Sequence, residues 1–266
     1  MTLGFSVEAL VPAGRGGKAL RMGLVRLGEG EWLWPDFDRA ARARTFAAHP
    51  ESVLARPGSA APAREAARLV AGRDSLGEAA ACVWEDLCIM QADADGGWRL
   101  TAAAVGFPTD WQVADKMGMA LPALHAPIHG YAEELSASVD RFFSVLKPGQ
   151  IFGRANWFIV ASDALRYLPG DDPAERFAHV SSANAGETLF VRCERQTLRR
   201  LPESGAVLFT IGIALAPLGS LSGAVVMQLA RTVAAMGAGE QDRRAAPHYA
   251  PALMDHAAAR GWENAA

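Results

Sequence analysis

Two histidines four residues apart are the first residues whose type and spacing suggest chemistry. His125 and His129 lie in residues 124–130 (LHAPIHG). A spacing of four would place both imidazoles on one helix face, as in a zinc site, but Pro127 between them disfavours a helix. A tetrahedral site would also need ligands from remote segments, because no cysteine or third histidine lies nearby. Haem iron needs one imidazole, an apolar slot and basic groups for the propionates, so an axial ligand is the second interpretation. A hydrogen-bonded structural histidine is the third.

A cluster of arginines is the second feature. Residues 192–202 (RCERQTLRRLP) contain four arginines, among them Arg192 and Arg195, at what the pattern predicts to be the end of a strand. Guanidinium groups bind carboxylates through two parallel hydrogen bonds, and haem propionates are such carboxylates. The alternative is a surface network of arginine and glutamate. Arg154, on another predicted strand, carries the same two interpretations.

Two adjacent acidic residues lie inside an apolar segment. Glu85 and Asp86 interrupt residues 81–90 (ACVWEDLCIM), which otherwise have the composition of a strand. Successive strand residues point to opposite faces, so at least one carboxylate should meet the core or a pocket and need a partner there. A buried ion pair with an arginine and a role in a site are both consistent with this pattern.

Several common cofactor and nucleophile motifs are missing. The sequence has no G-x-G-x-x-G after a strand, no Walker-type loop and no G-x-S-x-G elbow. It also lacks C-x-x-C and C-x-x-C-H, which argues against a zinc pair and excludes covalent c-type haem attachment. The chain therefore shows no nicotinamide or nucleotide site of its own.

Composition limits the class of protein. The chain has 266 residues, of which 50% are hydrophobic and 21% charged, as in a globular protein with a sizeable core. A net charge of −3 argues against a broad nucleic-acid or anionic-membrane surface. Three cysteines are too few for a disulfide framework. Residues 1–10 lack a basic stretch followed by an apolar run, so we expect no signal peptide and a cytoplasmic location.

One uncharged segment resembles a membrane span in length. Residues 205–230 contain no charged side chain. However, Pro217, Gly219 and two serines lie in the middle, which predicts a strand, a turn and a buried helix instead.

The remaining pattern predicts an α+β fold. Strands are expected over residues 82–91 and 98–107, joined by a turn at 93–97, and over 152–161, 188–193 and 206–215. A hairpin over 22–34, an amphipathic helix over 131–147 and a last helix over about 251–262 complete the prediction. Short turns and few β-α-β crossovers favour an antiparallel sheet flanked by helices.

Several segments form a characteristic set when they are taken together. They are 84–90 (WEDLCIM), 107–111 (FPTDW), 116–118 (KMG), 124–128 (LHAPI), 154–157 (RANW), 194–202 (ERQTLRRLP) and 208–211 (LFTI). In order and content they resemble the haem-dependent oxidative N-demethylase alpha-subunit-like family, and the resemblance spans about residues 20–235.

This resemblance implies a fold and an activity. It implies a PAS-like antiparallel sheet with helical N- and C-terminal additions, forming a single domain over 1–266 with a core at about 20–235 and an extension at 236–266. It implies haem b in the pocket and oxidative N-demethylation of a small amine with O₂ and electrons from a separate reductase, without nucleic-acid or membrane partners. The family's I-H-x-P segment falls on residues 124–127, which makes His125 rather than His129 the expected iron ligand.

Further site residues follow from combining the resemblance with the residue patterns. Arg192 or Arg195, aided by Arg154, is expected to neutralise an acidic group in the pocket such as a propionate, and Glu85 or Asp86 is expected to orient the His125 ring.

The sequence also departs from the family. Residues 212–214 are Gly-Ile-Ala where the family tends to carry Arg-Thr-Tyr, and His129-Gly130 stands where it tends to carry Pro-Gly. Loss of a polar, pocket-facing trio favours an alternative function, a haem- or ligand-binding PAS-like sensor without turnover.

Overall fold

A seven-stranded antiparallel sheet forms the centre of the structure. The computed structural model describes residues 3–11, 22–128, 130–168, 170 and 172–260. Within these residues the sheet order is β1-β5-β6-β7-β3-β4-β2, and every neighbouring pair is antiparallel. The strands are β1 Val25–Leu27, β2 Val53–Ala55, β3 Asp86–Ala92, β4 Trp98–Ala104, β5 Ile151–Val160, β6 Phe190–Arg200 and β7 Val207–Pro217.

Helices flank this sheet, which confirms the predicted mixture of helix and antiparallel sheet. The described α-helices are α1 Val7–Leu10, α2 Arg39–Ala48, α3 Ala60–Ala71, α4 Leu76–Ala81, α5 Val113–Lys116, α6 Leu121–Leu124, α7 Tyr131–Glu134, α8 Ser136–Val145, α9 Pro173–Arg176, α10 Ala185–Thr188, α11 Gly223–Ala234, α12 Ala238–Arg243 and α13 Ala250–Ala259.

The β3–β4 hairpin shows how local sequence sets the register. Asp93 accepts a hydrogen bond from the Gly97 N–H at 2.7 Å through its side chain, and Gly96 adopts the positive φ of 80° that the tight turn requires. The predicted turn is therefore confirmed. Leu87 lies opposite Ala104 and Ala92 opposite Trp98, with one irregularity after Ile89.

The uncharged segment folds as two core elements, as predicted. It forms β7, a 3-10 turn at Leu218–Ser220 and then α11, whose first turn is capped by the Ser222 hydroxyl. Val226 and Leu229 of α11 pack with Leu253 of α13 in a buried cluster. No helix among the described residues has both the length and the apolar character needed to cross a bilayer.

Three local predictions were wrong. The 22–34 hairpin does not form, because β1 pairs with β5 and the following residues turn so that the Trp32 indole donates to the Thr197 hydroxyl at 3.1 Å. The predicted 131–147 helix is two helices, since Leu135 has a non-helical φ of −119° between them. The arginine cluster lies along β6 rather than at the end of a strand.

Successive side chains of β6 point to opposite faces of the sheet, and this alternation decides which of them can contact one another. Leu198 packs with residues of α8 on one face of the sheet, together with Cys88 and Met90 of β3. Cys193 packs on the other face with α11 and α13. The even-numbered β6 residues therefore share the face toward α8, and the odd-numbered residues point away from it.

Candidate functional site

A cavity of about 570 Å³ lies between the sheet and the helices that connect β4 to β5. His125 and Lys116 belong to its helical wall, and Arg154 and Glu194 belong to its sheet wall. Much of the remaining lining is apolar: Leu24, Met90, Leu100, Leu121, Leu124, Ile128, Val139, Phe142, Phe143, Leu198, Phe209 and Ile211. A cavity of this volume, with a large apolar wall and several charged side chains, has the properties of a site for a small molecule or cofactor.

His125 is held in one orientation by two contacts. It follows the last residue of α6, and its Nδ1 donates a hydrogen bond to the Leu121 carbonyl at 2.8 Å. Because a carbonyl only accepts, Nδ1 carries the proton and Nε2 presents a lone pair. The Tyr131 ring stacks on the imidazole with centroids 4.4 Å apart and an interplanar angle of 9°. Nε2 has no hydrogen-bond partner among the described residues and is free to ligate.

The surroundings of this imidazole favour its neutral form. Burial lowers the pKa of His125 below its ordinary 6.5, and the positive charges of Arg154 and Lys116 lower it further, against the opposing effect of the Leu121 hydrogen bond. A metal ligand must be the neutral imidazole, so this electrostatic environment favours ligation at neutral pH. The same charges show that two cations lie close to the ring.

Arg154 is a half-buried cation of the sheet wall that makes no hydrogen bond among the described residues. Its Nε is buried and has no partner among the described residues. Burial lowers the pKa of Arg154, and the nearby Glu194 carboxylate opposes that effect. An unpaired guanidinium in an apolar cavity is costly unless an anion binds it, so this group fits the carboxylate of a ligand.

Glu194 is a cavity residue that the sequence interpretation did not select. It lies directly opposite Asn156 in the β5–β6 pairing and is 7% exposed. Its Oε2 accepts a hydrogen bond from Gln196 Nε2 at 2.9 Å. The signal was present in the strand alternation, which puts Glu194, Gln196 and Leu198 on one face, but nothing in the sequence says that this face lines the cavity.

Arg192 and Arg195 are placed outside the cavity, contrary to the expectation that they neutralise a group within it. Arg192 donates through Nε to the Thr109 hydroxyl at 2.8 Å and through its other nitrogens to four backbone carbonyls. Arg195 points from the opposite face of β6 and donates to the carbonyls of Gly4, Glu31 and Trp32. All nitrogens of both guanidinium groups are occupied, so their predicted contribution at the cofactor has no geometric support.

Glu85 and Asp86 are fully buried but do not reach His125. Asp86 forms an ion pair with Arg42 at 2.8 Å and accepts from the N–H of Gly106 at 2.7 Å. Glu85 accepts from the N–H of Trp34 at 2.7 Å. The expectation that one of them orients the histidine ring is wrong, because the Leu121 carbonyl occupies Nδ1. For Asp86, the alternative of a buried ion pair with an arginine is confirmed.

Glu85 is a buried carboxyl group whose hydrogen bonding is incomplete. Its Oε2 is buried and has no hydrogen-bond partner among the described residues, and burial raises the pKa of Glu85 from 4.5 to about 7. Gly212 on β7 allows this arrangement, because a Cβ there would lie 3.2 Å from the Trp34 ring and 3.5 Å from Glu85 Oε1.

Ile213 and Ala214, two of the residues that depart from the family pattern, line a second cleft. This cleft of about 900 Å³ lies beside the end of β7 that extends past β3, and it is lined by Trp34, Trp84, Ile213 and Ala214 among others. The Trp84 indole donates to the Ile213 carbonyl at 2.8 Å. Residues 212–214 therefore do not line the His125 cavity.

His129 lies outside the described residues, so its orientation relative to His125 stays a prediction. Residues 125–128 do not continue α6, in agreement with the effect expected of Pro127. Across the described part of the chain, no group of three or more histidine, cysteine, aspartate or glutamate side chains could hold a metal ion.

The described residues form an antiparallel sheet with a cavity in which the Nε2 of His125 and the Nε of Arg154 have no hydrogen-bond partner among those residues. A comparison with known protein families matches residues 69–254 to the family described as haem-dependent oxidative N-demethylase, alpha subunit-like. The chain belongs to that family.

Proposed function

We propose that this protein is the haem-dependent monooxygenase component of an oxidative N-demethylase, acting on a small amine. The observation that carries the proposal is His125, whose Nε2 is free in a mainly apolar cavity while its Nδ1–H is fixed by the Leu121 carbonyl. Family membership supports haem dependence.

The residues of the cavity fit a haem. His125 would supply the axial ligand, because its second nitrogen is anchored to a carbonyl as is usual for ligating histidines. Arg154 and Lys116 would offer positive charge to the propionates, and the buried Arg154 Nε lacks any other partner among the described residues. The thiol of Cys88 lines the same cavity, but burial raises its pKa, so it stays protonated and is a poor competitor for the iron.

The scaffold around the cavity is proposed to be PAS-like. In chain order the five central strands are β3 to β7, and they stand in the sheet as β4-β3-β7-β6-β5. Helices α5 to α8 connect β4 to β5 and cover the face of the sheet that Leu198 shares. We further propose that residues 1–266 form one domain, since α11 and α13 bury their apolar residues in a common cluster with β6 residues.

The proposed reaction needs an outside source of electrons. One N-methyl group, one O₂, two electrons and two protons give the demethylated amine, formaldehyde and one water. Haem, when bound, would supply the oxygen activation. The protein's own residues hold the cofactor, exclude water through the apolar wall and position the amine. Since the sequence shows no nucleotide motif, a separate reductase is the proposed electron donor.

The first test is the visible spectrum of protein expressed with ample haem. We expect a Soret band, about one haem b per chain and formaldehyde release when a reductase, NADPH and small methylamines are added. His125→Ala should lose haem or shift the spectrum to a weakly ligated form. His129→Ala is the matched control and should keep both haem and spectrum.

The alternative outcomes are distinct. Protein that stays colourless after haem addition would reject the proposal. Haem loss in His129→Ala with a normal His125→Ala would move the ligand to the other histidine. A stable haem complex that releases no formaldehyde with any methylamine would favour the sensor function.

A further inference from the structure

The acidic residues around the cavity differ in what they contact. Within the described chain, four acidic side chains line it. Asp110 forms an ion pair with Arg176 at 3.0 Å, and Asp242 is exposed to solvent.

The other two acidic residues are Glu240 and Glu194. Glu240 forms ion pairs with Arg243 and Arg244 at 2.6 and 2.5 Å. Glu194 is the one that is both buried and without a salt bridge among the described residues.

Only one of the two carboxylate oxygens of Glu194 has a hydrogen-bond partner among the described residues. Gln196 Nε2 holds Oε2 at 2.9 Å, and no described residue donates to Oε1. Phe209 and Ile211 on the adjacent β7 continue the same cavity wall and are apolar. A buried carboxylate with a free oxygen beside apolar side chains has the chemistry to receive a small cation that also carries alkyl groups.

The positive charges nearby do not remove this capacity. Arg192 lies two residues along β6, but all its nitrogens are bound to the Thr109 hydroxyl and to backbone carbonyls. Arg154 makes no hydrogen bond to Glu194, and under the proposed function its charge faces a propionate. Glu194 is therefore the acidic group of the sheet wall, with Arg154 and Arg192 as nearby positive charges but with no salt bridge to either of them among the described residues.

We infer that Glu194 is the substrate-recognition residue of the cavity and binds the protonated nitrogen of a small methylated amine. The inference rests on the proposed function and narrows it. Small secondary and tertiary alkylamines are cations near neutral pH, and a cation enters an apolar cavity only if a counter-charge receives it. Neutral molecules of similar size would lack this contact, so the cavity should discriminate by charge rather than by shape.

The test is calorimetric binding of dimethylammonium chloride to the haem-loaded protein, with isopropanol as a neutral probe of similar size. Glu194→Gln keeps the volume and removes the charge. We expect it to weaken dimethylammonium binding at least ten-fold, to leave isopropanol binding within two-fold and to keep the haem content and Soret band. Glu194→Asp keeps the charge on a shorter side chain and should fall between the wild type and Glu194→Gln.

Asp115→Asn is the charge control, because Asp115 is exposed on α5 next to Lys116 and does not line the cavity. It should bind both probes like the wild type. Equal dimethylammonium affinity in the wild type and Glu194→Gln would overturn the inference, and so would a wild type that binds dimethylammonium no better than isopropanol. A wild type without this preference overturns the inference even if a variant fails to fold.

The same samples separate this inference from the proposed function. If the wild type releases formaldehyde and Glu194→Gln does so with an unchanged KM, the function stands and the role of Glu194 is rejected. If the wild type never takes up haem, the proposed function fails. Calorimetry on the purified protein then still shows whether Glu194 binds the cation.

Discussion

Arg154 of β5 and Arg192 of β6 lie on the same face of the sheet. Their guanidinium groups differ in how many hydrogen-bond partners they find there. Arg192 is opposite Phe158 in the β5–β6 register, and Arg154 is opposite Gln196. Loop residues bring a hydroxyl and four carbonyls to the Arg192 guanidinium, whereas the Arg154 Nε is buried without a partner.

This difference in hydrogen bonding distinguishes charged groups that stabilise the fold from charged groups that are available to a ligand. A guanidinium with all its hydrogen bonds made inside the protein stabilises the loops that it joins. A buried guanidinium without partners costs free energy in the empty protein and regains it when an anion binds. His125 Nε2 belongs with Arg154 in this respect, since its lone pair also meets no donor among the described residues.

Arg192→Met should destabilise the protein by about 3–5 kcal/mol, because it leaves several buried carbonyls without donors. The free energy of unfolding from urea titration measures this loss. Arg154→Met is the matched control, with the same substitution on the same sheet face. It should leave the stability of the haem-free protein unchanged or raise it. Equal destabilisation by both substitutions would break the comparison.

Glu85 should make stability depend on pH. Its folded pKa of about 7 lies above the ordinary 4.5, so its contribution is fully present below pH 4.5 and is lost as the pH rises through about 7. The loss amounts to roughly 3 kcal/mol. Urea unfolding at pH 5 and pH 8 should show it in the wild type but not in Glu85→Gln. Parallel pH profiles would mean that Glu85 finds a partner for Oε2.

Arg154→Met should weaken haem retention at least ten-fold, a change of about 1.4 kcal/mol, because a desolvated charge pair with a propionate is lost. Haem transfer to an excess of apomyoglobin measures this change. If the Arg195→Met variant folds, it should retain haem like the wild type, since Arg195 faces away from the cavity. A loss of haem in Arg195→Met but not in Arg154→Met would reverse the assignment.

The smallest expected effect concerns the protonation of His125. Burial and the charges of Arg154 and Lys116 hold its pKa below 6.5, so this imidazole binds protons less readily than an ordinary histidine. Removing one charge with Lys116→Ala should raise the pKa of His125. An NMR titration of the ring Cε1–H signal checks the direction of the change. An unshifted titration would show that Lys116 does not act on the ring.

Much of the sheet could be predicted from local sequence. The β3–β4 hairpin follows from two apolar segments and an Asp-Gly turn, and the uncharged 205–230 segment divides where proline and glycine stand. The 22–34 segment failed for a long-range reason, because the hydrogen bond between Trp32 and Thr197 joins residues 165 positions apart. Local pattern carries no information about such a contact.

The sequence by itself determined the family, the antiparallel α+β class and the choice of His125 as the candidate ligand. Tertiary structure alone decided which charges face the cavity. Alternation places Arg192 and Glu194 on one side of β6 and Arg195 on the other, but only packing shows that α5 to α8 enclose the first side. Packing also gave Arg192 its loop carbonyls, gave His125 the Leu121 carbonyl instead of a carboxylate, and left Arg154 and Glu194 with free polar atoms toward the cavity. These outcomes depend on the three-dimensional arrangement of distant backbone groups, which residue types and spacing do not specify.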